Sequence, residues 1–117
     1  MAVTTKPWSG DASRFSDAEW SHSCILDMGD CSAAAKEMTT KKRYKLPILE
    51  PNGDINANAL GSAAGALAGA RTPLQACPAA KTAAAKKLVA AYDAAKLDAP
   101  EHVEEMAGVS DSESNGG

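Results

Sequence analysis

His22 and Cys24, with Cys31 and Cys77 further along, supply four side chains of the kind that bind zinc. Structural zinc sites draw a tight pair of ligands from each of two segments, because two ligands on one turn are pre-positioned for the metal. No Cys-x-x-Cys occurs here, so the spacing reads as separate thiols and no metal site is assigned. Asp54-x-Asn56-x-Asn58 imitates the opening of a calcium loop. Such a loop needs glycine at its sixth position and a bidentate glutamate at its twelfth. Ala59 and Gly65 stand there instead, and helix capping accounts better for the three side chains.

Nucleophilic catalysis needs a base aligned with its nucleophile. His22 lies beside Ser21, Ser23 and Cys24, but adjacent residues of a helix do not face each other. His102 stands among Glu101, Glu104 and Glu105, where solvated charge accounts for it. Gly61, Gly65 and Gly69 fall inside a helical pattern, not in a loop that could cradle phosphate. The chain therefore reads as a non-enzyme without a cofactor.

Its 117 residues suit one domain with tails. Leu, Ile, Val and Phe number only 16, whereas alanine supplies 25 residues. Alanine favours helix because it loses no side-chain entropy, but each buried methyl contributes only about 0.8 kcal/mol. A core of this kind gains stability by burying surface against a partner. The net charge of −3 is unevenly placed: residues 1–97 hold all 12 basic groups and nine of the 15 acidic ones. Lys36, Lys41, Lys42, Arg43 and Lys45 form the densest basic stretch, which reads as a solvated loop or a landing strip for an acidic partner. Five charges offer few phosphate contacts and only Tyr44 interleaves them, so nucleic acid is not the expected partner. No run of 18 apolar residues suggests a membrane span, and the first 15 residues lack a secretory pattern. Cytoplasmic synthesis follows, and with it three reduced cysteines rather than a disulfide framework.

Residues 1–15 read as an extended arm broken by Pro7 and Gly10 and carrying Trp8 and Phe15, which dock either on this domain or on a neighbour. Ser16 to Glu19 fits a capping box that opens a helix over 16–28, with Gly29 as its stop. Residues 30–44 read as a polar, basic loop. A strand is predicted over 45–50, held to an edge by Pro47, and a turn at Pro51, Asn52 and Gly53. Asp54 or Asn56 caps a helix over 57–70 whose three glycines leave a smooth strip for close approach of another backbone. Pro78 opens a further helix over 78–97, and a short one follows over 100–106. The fold class is mainly α with a short β segment (α+β): an N-terminal arm (1–15), a small helical domain (16–107) built on an antiparallel helix pair, and a polar tail (108–117).

The run over 45–88 holds Lys45-Leu46-Pro47, then Pro51-x-Gly53-x-Ile55-Asn56, then Ala63-x-x-Ala66-Leu67-x-x-Ala70-Arg71, and finally Ala84-x-x-Lys87-Leu88. In this order they resemble a small alanine-rich domain of head-associated proteins of tailed bacteriophages, notably those of actinobacteria, where it accompanies prohead proteases and capsid accessory proteins. Leu46-Pro47 and residues 51–58 weigh more in the resemblance than the alanines do. It implies a virion structural protein, a minor capsid or decoration protein that cements the outer capsid shell, made in the host cytoplasm. The implied partner is the major capsid protein, with a second copy of the chain at a symmetry axis as another. Trp8 and Phe15 would then anchor in capsid pockets, and Lys41, Lys42 and Arg43 would meet acidic shell surface. Two other readings stay open: a prohead assembly factor lost at maturation, and a small binder of nucleic acid or host protein. The phage assignment comes from the resemblance alone.

Overall fold

A reciprocal serine–glutamate cap starts the first helix. In the computed structural model, which describes residues 2–69 and 76–108, the Glu19 amide donates to Ser16 Oγ (3.2 Å) and the Ser16 amide to the Glu19 carboxylate (2.8 Å). Helix α1 (Asp17–Ser23) then ends well short of residue 28, and strand β2 (Cys24–Asp27) replaces the expected second half. The reason lies in burial. Cys24, Ile25 and Leu26 are buried consecutively, which suits a strand covered on both faces. The switch occurs at buried Ser23, whose Oγ donates to Leu49 O (2.9 Å) and accepts from the amides of Ile48 (3.1 Å) and Leu49 (2.9 Å). One donor and two lone pairs are thereby all used.

A 3-10 turn at Met28–Asp30 leads into the expected loop over 30–44, which contains a second at Ala34–Glu37 and a single-turn helix, α2 (Thr40–Arg43). Strand β3 (Tyr44–Pro47) runs antiparallel to β2, pairing Asp27 with Tyr44, Leu26 with Lys45 and Cys24 with Pro47. Pro47 stands last in its strand, where a missing donor is tolerated. Gly29 does not terminate a helix. It is buried, and a Cβ there would stand 2.8 Å from Arg43 Nη2, so the missing side chain makes room for the guanidinium.

After the turn, β4 (Ile55–Asn56) leads directly into α3 (Ala57–Ala68), capped by Asn56 Oδ1 accepting from the amides of Asn58 (2.8 Å) and Ala59 (3.1 Å). Helix α4 (Pro78–Ala94) has proline in its first turn, as expected, and α5 (Glu101–Ala107) follows. Helix α4 packs against α3, β2 and α5. Ala59, Ala63 and Ala64 of α3 and Ala80, Ala84 and Ala85 of α4 are buried between larger side chains, Leu26, Ile55, Leu60, Leu88 and Val103, that are sealed from solvent. The fold is thus mainly α with a short β part, as its sequence implies. The predicted connection over 70–75 and the polar tail from 109 onward lie outside the described residues.

Helix α4 closes with two bonds, from the Lys96 amide to Asp93 O (3.0 Å) and from the Leu97 amide to Tyr92 O (2.9 Å). This arrangement puts Lys96 in the left-handed region (φ 61°), where glycine is the usual residue. Because Lys96 is exposed, Lys96→Gly should raise the unfolding free energy by about 1 kcal/mol, read as a higher midpoint in urea. An unchanged or lower midpoint would contradict this reading.

Candidate partner-binding surface

The N-terminal arm is built into the domain. Strand β1 (Val3–Thr4) pairs in parallel with β4, and the Ile55 amide donates to Ala2 O (2.8 Å). Two asparagines hold the next residues: Asn58 Nδ2 donates to Thr5 O (3.1 Å) and Lys6 O (2.8 Å), and Asn56 Nδ2 donates to Lys6 O (3.2 Å). Asn56 is sealed from solvent, and its amide nitrogen also donates to Glu50 Oε2 (2.7 Å). The side chain that resembled a calcium ligand therefore ties arm, turn and helix together.

Of the two fates open to the arm's aromatics, docking on this domain is the one observed. Phe15 is buried edge-on against Trp20, ring centroids 5.3 Å apart, in a cluster that includes Cys24. Its ring is packed inside the chain, where its apolar area is removed from water. The Trp20 indole donates to Tyr44 O (3.0 Å), so the cluster is hydrogen-bonded as well as packed. Trp8 is half-buried at the junction of this cluster and the main core, with the Arg14 guanidinium 5.7 Å from its ring centroid.

The basic stretch is divided in the same way. Lys41 Nζ donates to Ala12 O (2.9 Å) and Phe15 O (2.8 Å), pinning the end of the arm. Arg43 grips Asp27 with two bonds, Nε to Oδ1 (2.8 Å) and Nη2 to Oδ2 (3.0 Å), and lies over the Tyr44 ring. Both cations serve the chain's own acceptors, whereas Lys42 is exposed. Trp8 and Lys42 are therefore the members of the predicted set, Trp8, Phe15, Lys41, Lys42 and Arg43, with surface to offer. Exposed Met38 lies on the segment before α2. Among the described residues nothing outside the helix's own backbone stands within 4 Å of where a Cβ would be on Gly61 or Gly65, so none of them makes the expected close approach at these two glycines.

The four side chains considered for zinc are separated. Cys31 and Cys77 are bonded to each other with their Cα atoms 5.6 Å apart, His22 is exposed, and Cys24 lies in the aromatic cluster. The disulfide corrects the expectation of three free thiols. The fold brings residues 46 positions apart into bridging range, and the odd cysteine is the buried one. Sequence reasoning missed this pair because an odd count hides it.

Three carboxyls are held below their ordinary range: Asp11, by the amide of neighbouring Ser13, and two that tie separate elements together, Asp27 and Glu50. Hydrogen bonds from Arg43 dominate at Asp27, with the Gly29 amide assisting against partial burial. The Asn56 amide dominates at Glu50, with Arg14 assisting. The unfolded chain binds protons at these positions more readily than the folded one, so the stability they contribute is complete above their ordinary values and is lost as pH falls through the depressed ones. The melting temperature should stay level from pH 7 to about 5 and drop below about 4, with a shallower drop in the Asp27→Asn, Glu50→Gln double variant. Parallel acid slopes in the two proteins would show that these carboxyls contribute nothing.

No family model matches the chain, and no match is found among curated proteins or solved structures.

Proposed function

We propose that this chain is a structural protein of a bacteriophage virion, a minor capsid or decoration protein that binds the major capsid protein on the outer shell and cements neighbouring subunits. What carries the reading is the use the fold makes of the residues in the resemblance. Pro47 ends β3, the turn at 51–53 follows, Ile55 fills the core, and Asn56 joins arm to helix. These residues act as architecture, so a run that keeps them maintains a scaffold whose exposed sides are free to make contacts. The bridge between Cys31 and Cys77 suits a particle that leaves the reducing cytoplasm.

The contact is assigned to the side of the arm and α2. Trp8 supplies a large, partly exposed ring next to the core, and Lys42 supplies an exposed charge on α2. Aromatic anchors in such settings carry much of the energy of an interface. Trp8→Ala combined with Lys42→Glu should lower the affinity for expanded capsids at least tenfold, on the order of 1.4 kcal/mol, in a co-sedimentation titration. Wild-type occupancy by the double variant would remove this surface from the interface. If the wild-type chain binds proheads but not expanded shells, an assembly factor is the better reading.

A further inference from the structure

The stretch between β2 and α2 stands apart from the rest of the chain in how it is held. Apart from one bond at Cys31 Sγ, its hydrogen bonds among the described residues are local, among them those from Cys31 to Met28 O (2.9 Å), Lys36 to Ala33 O (3.1 Å), Met38 to Ala35 O (3.1 Å) and Ala35 to Ser32 Oγ (3.2 Å). Ala35 is its one buried side chain between residues 30 and 39, and Ser32, Ala33, Ala34, Lys36, Glu37 and Met38 are exposed. The covalent tie to another element is Cys31–Cys77, at the residue that precedes Pro78 and α4, and the Cys77 amide also donates to Cys31 Sγ (3.2 Å).

Both bridged cysteines are half-buried at the rim of the main core, whereas the large side chains sealed inside it do not include them. The bond therefore lies at the edge of the core and not among its sealed side chains. Cys24 is the opposite case. Burial in the aromatic cluster pushes its thiol up to about 12, so at neutral pH it is neither ionised nor accessible for exchange. Of three thiols, the fold pairs two at its surface and shields the third, which leaves one intramolecular outcome of oxidation.

We propose that Cys31 and Cys77 form a redox-responsive lock, open in reducing surroundings and closed in oxidising ones, that fixes residues 30–38 against the start of α4. Closure proceeds by thiol–disulfide exchange with a low-molecular-weight disulfide such as oxidised glutathione. The thiolate of one cysteine attacks a sulfur of the small disulfide, forming a mixed disulfide and expelling one small thiolate. The thiolate of the second cysteine then attacks the protein sulfur of that mixed disulfide, forming Cys31–Cys77 and expelling the second thiolate. Two protein thiols are oxidised, one small disulfide is reduced to two thiols, and the two thiol protons end on the released thiols. The lock does not depend on which partner the chain binds.

The test uses the full chain, reduced and then equilibrated in buffers of graded oxidised and reduced glutathione, with alkylation and peptide mass spectrometry as one readout and amide hydrogen exchange as the other. Cys31 and Cys77 should lose alkylation together, while Cys24 is alkylated only after denaturation. On reduction the amides of 30–38 should exchange at least tenfold faster and through local opening that sub-denaturing guanidinium does not accelerate, while those of β2, α3 and α4 stay protected and exchange through global unfolding, and the Cys31→Ser, Cys77→Ser double variant should reproduce the open pattern without reductant. Entry of Cys24 into a disulfide, a thiol pair that stays reduced in oxidised glutathione, or loss of protection across the whole chain would each overturn the proposal. The last result would make the bond a requirement of the fold rather than a lock.

Discussion

Reducing Cys31–Cys77 should lower the unfolding free energy by about 4 kcal/mol, the chain-entropy value for a cross-link of this span. The two cysteines are 46 positions apart, so the bond removes a large share of the unfolded chain's freedom while asking little of a fold that already brings their Cα atoms to 5.6 Å. Guanidinium titrations with and without a phosphine reductant measure the difference. Reduction should move the midpoint down and steepen the dependence on denaturant, because an uncrosslinked unfolded chain exposes more surface. A loss of this size leaves a domain of ordinary stability, about 5–15 kcal/mol, weakened but folded. Equal midpoints in the two states would show that the unfolded chain gains nothing from release.

Asn56→Ala should be the most damaging single polar substitution, at about 3 kcal/mol. Its Oδ1 caps α3 through two amides, a role worth about 1 kcal/mol by itself. Its Nδ2 donates to Lys6 O and to the Glu50 carboxylate, and the bond to a charged acceptor is the stronger of the two. Alanine removes all four bonds and leaves Glu50 with Arg14 as its remaining partner. The arm would then hold by the β1–β4 pairing and the contacts of Asn58, so limited proteolysis should cut within the first 15 residues of the variant faster than in the parent. Asn56→Asp separates the roles: the cap survives, while the two donors are lost and a second carboxylate faces Glu50. If Asn56→Asp were as stable as the parent, the clamp on the arm would carry no energy.

The helices were legible where periodicity and caps agree. Ser16 and Glu19 mark the start of α1, Pro78 the first turn of α4, and Asn56 the cap of α3. The end of α1 was not legible, since Cys24, Ile25 and Leu26 form a short apolar run that suits a buried strand as well as a helix face. What decides between them is the hydrogen bonding of Ser23 to residues more than twenty positions away, a tertiary fact with no local trace. Gly29 misled for a related reason, because glycine ends helices and also makes room, and here it makes room for Arg43. At the candidate surface, residue type pointed to Trp8, Phe15, Lys41, Lys42 and Arg43, but type does not reveal partners inside the fold. Phe15 found the aromatic cluster, Lys41 the carbonyls of the arm, and Arg43 the carboxylate of Asp27.

The central claim, that the chain is a stoichiometric component of a phage shell, is tested most directly by quantitative mass spectrometry of purified mature particles, with copies of this chain counted against copies of the major capsid protein. The expected ratio is a simple fraction set by the symmetry of the shell. Absence of the chain from mature particles would contradict it.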